Sequence, residues 1–232
     1  MLLINNLSFS RNDTKIFENL SLSLSNKQIT QIKGRNGSGK TTLLEALYGL
    51  RKLSRGKVEW SMHGSLAAKE QAFVFQAPIM LRRSVIENLI YPLRVRQISK
   101  LIATEEAVSW AKKISLENKI NQKATLLSGG EMQAIAIARA LITKPKMLFL
   151  DEPTASLDGA NKKVIEDILI FASKNGTKIV MSTHDLGQVK RLADDIIYLH
   201  NGIVESHSSK EEFLTSPSSK SAQQFLAGDI VL

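Results

Sequence analysis

The stretch Gly34-Arg35-Asn36-Gly37-Ser38-Gly39-Lys40-Thr41 decides how the rest of the sequence is interpreted. It matches the pattern G-x-x-x-x-G-K-[ST], follows a predicted strand at Ile29–Lys33 and precedes Lys40–Leu50, which has helical spacing. Glycines let successive backbone N–H groups approach phosphate oxygens, and the helix N-terminus adds its dipole. Lys40 would supply a positive charge to the phosphates, and the Thr41 hydroxyl would bind Mg²⁺. The alternative is a structural glycine turn that binds nothing.

A second pattern places two carboxylates at the end of a buried strand. The apolar run Met147-Leu148-Phe149-Leu150 is followed by Asp151 and Glu152. Because open α/β sheets bind ligands at the carboxyl ends of their strands, we expect both acids to face the same phosphates as Lys40. Asp151 suits Mg²⁺, and Glu152 suits the polarisation of an attacking water. The alternative is a strand that ends in two exposed acids.

A third pattern, Leu127-Ser128-Gly129-Gly130-Glu131, precedes the apolar-periodic run Met132–Leu141. Ser128 and Glu131 have the S-x-x-E spacing of a capping box, so an ordinary helix start is the simplest interpretation. Two glycines within this cap expose the backbone N–H groups of the helix N-terminus. The sequence therefore predicts a second anion site here.

Apolar periodicity along the 232 residues predicts an α/β core with an antiparallel N-terminal edge and a helical lobe at about 77–140. We expect one domain, 1–232, and a Ser/Lys-rich patch at Ser206–Lys220 that contains Pro217. The predicted strands are Leu3–Phe9, Leu20–Leu24, Ile29–Lys33, Gly56–Trp60, Phe73–Gln76, Lys146–Leu150, Lys178–Ser182, Asp195–His200 and Ile203–Glu205. The predicted helices are Lys40–Leu50, Ser84–Leu93, Glu105–Lys112, Gly130–Ile142, Asn161–Ser173, Leu186–Ala193 and Ser219–Leu226.

Composition excludes several classes of protein. The chain has no cysteine, which rules out disulfides, Cys-ligated metals and a cysteine nucleophile. The N-terminus lacks the pattern of a secretory signal, and every apolar run is shorter than the roughly 20 residues of a membrane span. We therefore expect a chain that is soluble by itself. The formal charge of +9 suits polyanions, nucleotides or an anionic membrane face, and equally an ordinary basic surface.

Taken together, these motifs resemble those of ATP-binding cassette (ABC) proteins over essentially the whole chain. Leu127–Glu131 resembles their signature motif, Gly34–Thr41 their Walker A segment and Met147–Glu152 their Walker B segment. Three further elements fit the same order. Gln76 resembles the Q-loop glutamine, Ser156-Leu157-Asp158 the D-loop, and His184 the switch histidine. The resemblance implies a P-loop NTPase core with a mixed sheet, an antiparallel N-terminal β-subdomain and an inserted α-helical lobe.

The same resemblance implies ATP and Mg²⁺ as cofactors and assigns site residues one by one. Glu152 is the implied general base, with catalytic help from His184 and Gln76, and the implied Mg²⁺ ligands are Thr41, Gln76 and Asp151. Two copies are expected to pair head to tail, so that the signature segment of one closes over the ATP of the other. The implied nucleotide-binding residues are Gly34, Asn36, Gly37, Ser38, Gly39, Lys40, Thr41, Thr42, Ser128, Gly129, Gly130 and Asp158.

One position departs from the family pattern. Relatives usually stack an aromatic residue on adenine shortly after the first strand, whereas the corresponding position here holds Arg11. A guanidinium can stack on a base, so we expect Arg11 to contact the adenine. Phe9 or Phe17 could take this role instead, although each suits the core equally well.

For a partner, the resemblance implies integral membrane permease subunits and, through them, a periplasmic or extracellular substrate-binding protein. The segment Ala77–Val85 lies where family members receive the permease, which implies a peripheral position on the cytoplasmic face of the cell membrane. Whole-chain pattern further resembles the cassettes of tungstate-type oxyanion importers, so tungstate or molybdate is the expected cargo. The alternatives are a lipid or haem exporter cassette and a soluble ABC ATPase. The soluble class is disfavoured by the chain length, and no nucleic-acid partner is expected.

Overall fold

The computed structural model describes residues 2–11, 14–24, 28–60 and 70–227. The chain divides into two compact units, the first formed by Met1–Ala68 with Lys178–Leu232 and the second by Lys69–Thr177. In chain order the elements are β1 (Leu2–Arg11), β2 (Thr14–Leu24), β3 (Ile29–Lys33), α1 (Lys40–Tyr48), β4 (Arg55–Trp60), β5 (Gln71–Val74), α2 (Val85–Val95), α3 (Lys100–Lys113), α4 (Gly129–Leu141), β6 (Met147–Leu150), α5 (Gly159–Lys174), β7 (Lys178–Ser182), α6 (Leu186–Leu192), β8 (Asp195–His200), β9 (Ile203–Ser209), α7 (Lys210–Thr215) and α8 (Lys220–Ala227).

An antiparallel sheet with the order β2-β1-β4 forms the N-terminal part of the first unit. Strand β2 begins at Thr14, six residues before the predicted start at Leu20. Its buried residues Phe17, Leu20 and Leu24 are three and four positions apart, because the pairing with β1 contains register shifts. A bulge breaks the alternation of sides, so the period-2 pattern detected only the second half of this strand.

A mixed sheet forms the rest of the first unit. Strand β3 pairs in parallel with β7 and with β8, and β9 closes this part of the sheet antiparallel to β8. All five residues of β3 are buried, as expected for a strand with neighbours on both sides. This arrangement puts the carboxyl ends of β3 and β7 next to each other.

The second unit combines a parallel strand pair with four helices, α2 to α5. Strands β5 and β6 pair in register from Gln71↔Met147 to Val74↔Leu150. Every residue of β6 is buried, as the sequence predicted. Helix α3 is longer than the predicted Glu105–Lys112, because the side chain of Ser99 caps its N-terminus by accepting from the backbone N–H of Ile102. Within the described part of the chain, no helix combines the length and the apolarity needed to cross a bilayer.

The Ser/Lys-rich patch at Ser206–Lys220, for which no strand or helix was predicted before Ser219, contains regular structure. Strand β9 continues to Ser209, whose hydroxyl accepts from the N–H of Glu212 and starts helix α7. Phe213 on this helix is fully buried and packs against Tyr198, with ring centroids 6.0 Å apart. The gain from burying one aromatic ring therefore folds a polar segment onto the mixed sheet.

Candidate functional site

The phosphate loop Gly34–Thr41 connects β3 to α1 in the first unit. The Lys40 ammonium, although almost fully buried, donates to the carbonyl oxygens of Gly34 and Arg35, each at 3.0 Å. The Ser38 hydroxyl is also buried and has no hydrogen-bond partner among the described residues. An unpaired buried hydroxyl beside an ammonium group fits a loop that completes its hydrogen bonding with phosphate oxygens.

Gly34 cannot be replaced without moving the loop. Its φ is 149°, and a Cβ atom there would lie 2.1 Å from the carbonyl oxygen of Leu199. After this glycine, Arg35, Asn36 and Gly37 are exposed, so the outer rim of the loop is open to a ligand. Farther along, Thr41 is exposed and Thr42 half-buried in the first turn of α1, whose preceding residue Gly39 has a left-handed conformation.

His184 lies near this loop in the same unit. Ser182 at the end of β7 is paired with Ile32 of β3, and the backbone N–H of Thr183 donates to the Ile32 carbonyl at 3.3 Å. The exposed His184 comes next in the chain. The buried Lys33 stabilises the following turn, because its Nζ donates to the Asp185 carbonyl at 3.1 Å. The phosphate loop and His184 each follow a strand, as the sequence predicted, and the structure shows that these two strands are parallel neighbours.

In the second unit, three of the predicted residues follow the strand pair β5 and β6. The backbone N–H of Asp151 donates to the Val74 carbonyl at 3.0 Å, so Asp151 and Gln76 leave the same edge of the pair. Asp151 is buried, Glu152 half-buried and Gln76 exposed. Glu152 has a φ of 43°, a left-handed conformation that costs a non-glycine residue on the order of 1 kcal/mol or more. Such strain is typical of functional positions.

Ser128 begins helix α4 with the predicted capping box. The N–H of Glu131 donates to the Ser128 hydroxyl at 3.3 Å, and the Glu131 carboxylate accepts from the Ser128 N–H at 3.0 Å. The Lys119 ammonium donates to the same carboxylate at 2.6 Å. Lys119 first, and then Ser128, hold the pKa of Glu131 below its usual value. The segment is therefore both a helix cap and an exposed helix N-terminus at Ser128 and Gly129.

Asp158 begins helix α5 and meets the signature segment through its own cap. Its carboxylate accepts from the backbone N–H of Asn161 at 2.8 Å and from the Asn161 side chain at 2.9 Å, and the backbone bond is the main reason that the Asp158 pKa is lowered. A Cβ at Gly130 would lie 2.5 Å from Cγ of Asn161. The starts of α4 and α5 are therefore in direct contact, which only a glycine at position 130 permits without a shift.

Comparison with known proteins agrees with this geometry. The sequence model of the ABC transporter family matches residues 17–155, more than half of the chain. The chain belongs to the ABC transporter family. It is an ATP-binding cassette, an ATPase that uses ATP and Mg²⁺. Thr41 in the first unit and Gln76 and Asp151 in the second each carry side-chain oxygen atoms, the ligand type that Mg²⁺ takes in proteins.

Three relatives illustrate how closely the cassette resembles known proteins. It is 38% identical to the tungstate uptake system ATP-binding protein TupC of Peptoclostridium acidaminophilum over 203 residues, covering 87% of this chain and 95% of the relative. It is 32% identical to the arginine transport ATP-binding protein ArtM of Bacillus subtilis, covering 97% and 98%. A dimeric post-hydrolysis structure of the ATP-binding cassette MJ0796 bound to ADP and Pi has a TM-score of 0.79 and 27% identity, covering 90% and 99%.

The adenine contact was predicted for Arg11, with Phe9 and Phe17 as alternatives. The side chain of Arg11 lies outside the described residues. Phe9 and Phe17, the two alternatives, are both buried, and their ring centroids are 5.8 Å apart. These two rings therefore serve the core of the antiparallel sheet.

Sequence reasoning missed two residues of the cassette that fix the loop between β5 and α2. The Asn88 side chain accepts from the Leu81 N–H at 3.0 Å and donates to the Ser84 carbonyl at 2.9 Å. Arg139, whose pKa is lowered by burial, donates to the Asn88 side chain at 3.2 Å and to the Ile79 carbonyl at 2.6 Å. The sequence feature that could have identified Arg139 is its position as the single arginine in the apolar run of α4. Charged residues are seldom buried without such a partner.

Proposed function

We propose that this cassette hydrolyses ATP to power the import of a small oxyanion, tungstate or molybdate, through separate membrane subunits. The observation that carries the ATPase part is the phosphate loop, in which a buried ammonium is held against two loop carbonyls beside an unpaired hydroxyl. Phosphate oxygens would accept hydrogen bonds from both groups. The loop is thus prepared for a polyphosphate before one binds.

Each predicted residue has one role in this proposal. The backbone N–H groups and side chains of the phosphate loop bind the α-, β- and γ-phosphates, with contributions from Asn36 and Thr42. Thr41, Asp151 and Gln76 would hold Mg²⁺, which would neutralise phosphate charge. Glu152 accepts a proton from the attacking water, and His184 donates a hydrogen bond to the γ-phosphate.

A second copy of the chain completes the nucleotide site. The exposed N–H groups at the start of α4, near Ser128, Gly129 and Gly130, bind the γ-phosphate of ATP held by the partner copy, and Asp158 lies at the same contact. The dimeric neighbour with ADP and Pi supports this assembly. ATP shared between two copies stabilises the closed dimer, and hydrolysis removes the phosphate that both copies bind.

The loop Ala77–Val85 is the proposed docking site of the permease. Ile79 is 68% exposed, while Arg139 donates to its carbonyl oxygen and Asn88 accepts from the N–H of Leu81, two residues later. An apolar side chain on a backbone that is already fixed can bind a partner with little further loss of backbone conformational entropy. The cassette then sits peripherally on the cytoplasmic face of the membrane, and contacts an outer substrate-binding protein only through the permease.

The oxyanion part of the proposal is supported by the tungstate relative at 38% identity. The arginine relative is less similar, at 32% identity, but it is covered almost completely, so amino-acid import is the outcome against which tungstate must be tested.

The ATPase assignment is tested with Lys40→Ala. Removal of the ammonium group deletes the loop's buried positive charge, so we expect affinity for MgATP to fall by about tenfold or more. The matched control is Lys52→Ala, which removes an exposed lysine a few residues past α1. Binding is measured with a fluorescent ATP analogue by anisotropy. Unchanged affinity in Lys40→Ala would show that the phosphate loop does not bind the nucleotide.

The cargo and partner are tested in proteoliposomes that contain the cassette and the permease that co-purifies with it. We expect ATP hydrolysis to rise when tungstate or molybdate is added with the matching binding protein, and not when arginine is added. Ile79→Glu is expected to remove this stimulation while leaving basal hydrolysis of the free cassette unchanged, because it alters only the docking loop. Stimulation by arginine alone, or none by any ligand, would reject the oxyanion proposal.

A further inference from the structure

A cavity of about 600 Å³ lies entirely within the second unit. Its wall is formed by the last turns of α3, α4 and α5 and by the segment that leads into β6. The side chains that line it include Glu106, Trp110, Lys113, Lys144, Lys146 and Phe171. Its volume falls in the range of small-molecule sites in proteins, about 300 to 1,000 Å³.

Two aromatic rings form the apolar wall of this cavity. Trp110 is buried and meets Phe171 edge to face, with ring centroids 6.2 Å apart. Phe171 itself remains 43% exposed, although a large aromatic ring at the end of a helix could have been covered by neighbouring chain. A flat ligand that covers the exposed part of the Phe171 ring would stack on it.

Positive charge surrounds the aromatic wall. The Lys113 ammonium lies 5.5 Å from the Trp110 ring centre and 5.4 Å from that of Phe171, and it donates to the Ser109 hydroxyl. No carboxylate of the described residues pairs with Lys113. Lys144 has only a long contact to Glu106, at 3.7 Å, while Lys146 is paired with Glu70 at 2.6 Å. The cavity therefore offers one unpaired and one weakly paired ammonium beside two rings.

Helix C-termini carry partial negative charge, and three of them meet here. Several of the last carbonyl oxygens of these helices already accept hydrogen bonds within the protein, however. Examples are the bonds from the N–H groups of Ile114 to Trp110, of Ile142 to Ala138 and of Asn175 to Phe171. The Thr177 hydroxyl also bonds the Pro145 carbonyl at 2.9 Å. Against these partial negative charges stand the full positive charges of Lys113 and Lys144, which favour an anionic ligand.

We propose that this cavity binds a small aromatic anion, a molecule with a flat ring and one carboxylate, sulfonate or phosphate group. The ring lies against Phe171 and Trp110, and the anionic group pairs with Lys113 and Lys144. This site is separate from the nucleotide site. It adjoins the C-terminal end of α4, a helix of 13 residues and so roughly 20 Å long, whose opposite end carries the signature segment.

The test uses the whole cassette and the fluorescent aromatic sulfonate 8-anilinonaphthalene-1-sulfonate as the probe. We expect one saturable site. Its affinity is expected to fall about fivefold or more in Lys113→Met, which keeps an apolar contact with the rings but removes the charge, and in Phe171→Ala. The control Lys112→Met removes a neighbouring exposed lysine of the same helix turn, outside the cavity, and is expected to bind the probe like the wild type.

Competition separates the possible sources of binding. Indole-3-acetate or phenyl phosphate is expected to displace the probe, whichever anionic group the natural ligand carries, whereas benzyl alcohol, inorganic phosphate and MgATP are not. Circular dichroism spectra and melting temperatures establish that each variant is folded. The proposal is overturned if both cavity variants bind the probe like the wild type, if MgATP displaces it, or if benzyl alcohol competes as well as the aromatic anions.

Discussion

Glu152 combines a proposed catalytic role with an unfavourable, left-handed backbone conformation. It follows the fully buried strand β6, and its left-handed backbone is sustained by the turn behind it, in which the Ala155 N–H donates to the Glu152 carbonyl at 3.1 Å. Seven other described non-glycine residues, among them Gln97 and Lys144, also have a positive φ, so this conformation is shared with residues outside the candidate site. The proposed role of Glu152 as general base rests on its place directly after β6, next to Asp151.

Glu152→Gln tests that assignment. A glutamine side chain has nearly the same shape and hydrogen-bonding reach, but its amide cannot accept a proton from water. We expect ATP hydrolysis to fall by about 100-fold or more while ATP affinity stays near that of the wild type. Phosphate release and nucleotide binding are measured side by side, with the exposed Glu117→Gln as the control. Wild-type turnover in Glu152→Gln would remove the residue from the mechanism.

Residues with a motif could be predicted from the sequence, whereas residues that support a motif could not. Lys40 and Asp151 belong to short patterns with one physical purpose, and the structure places each at the end of the expected strand or loop. Asn88 supports the loop between β5 and α2 by accepting a hydrogen bond from Leu81, seven residues earlier in the chain. Arg139, from a helix distant in sequence, donates to the same Asn88 side chain. Such a network depends on packing, which leaves no local pattern in the sequence.

At the scale of the element, the N-terminal turn of helix α4 is both a helix cap and a proposed anion site. Its capping box fixes Ser128 and Glu131 relative to each other, and Lys119 anchors the carboxylate from outside the helix. The exposed N-terminal turn therefore keeps its shape while it has no ligand. Helix α2 has the same box at Ser84 and Glu87, and Ser84 is the main reason for the lowered pKa of Glu87.

The cap of α4 predicts a dependence of stability on pH. Because the pKa of Glu131 is lowered in the folded state, its contribution is complete above the unfolded value of about 4.3 and is lost as pH falls through the lower folded value. We expect Glu131→Gln to reduce the free energy of unfolding by about 1 kcal/mol at pH 7. Below about pH 4 the difference from the wild type should shrink.

Urea unfolding at pH 7, 5 and 3.5 measures this difference. Glu87→Gln is the matched control, since it alters a capping box whose glutamate has no lysine partner like Lys119 among the residues that the structure describes. It should have a smaller effect at neutral pH than Glu131→Gln. A Glu131→Gln effect that stayed constant across the pH range would mean that the carboxylate charge plays no part in the cap.

Elements with one clear period could be predicted from the sequence, and elements shaped by bulges or by distant contacts could not. Strands β6 and β7 were predicted because their apolar runs indicate burial on both faces. Strand β2 was detected only in part because of its register shifts. Helix α7 did have an S-x-x-E signal at Ser209 and Glu212, but the polar composition around it outweighed that signal.

At the scale of the whole molecule, the candidate residues are divided between the two units. The first unit carries the phosphate loop and His184, and the second carries Gln76, the signature segment, the acids after β6 and Asp158. Family membership could be predicted because the motifs occur in a fixed order along the chain. The cargo could not, because in the proposed assembly the transported ion contacts other proteins and leaves no requirement on this sequence.

Dimer closure is the property that belongs to the molecule as a whole. If ATP is shared between two copies, an enzyme that binds ATP but cannot hydrolyse it should remain closed. We expect Glu152→Gln to elute as a dimer on gel filtration with MgATP and as a monomer without it. Adding Ser128→Arg to this variant should abolish the dimer, because the long side chain would occupy the place of the partner's phosphates. Asn121→Arg, an exposed position elsewhere in the second unit, is the control. A Ser128→Arg variant that still dimerises with ATP would show that the signature segment lies outside the contact.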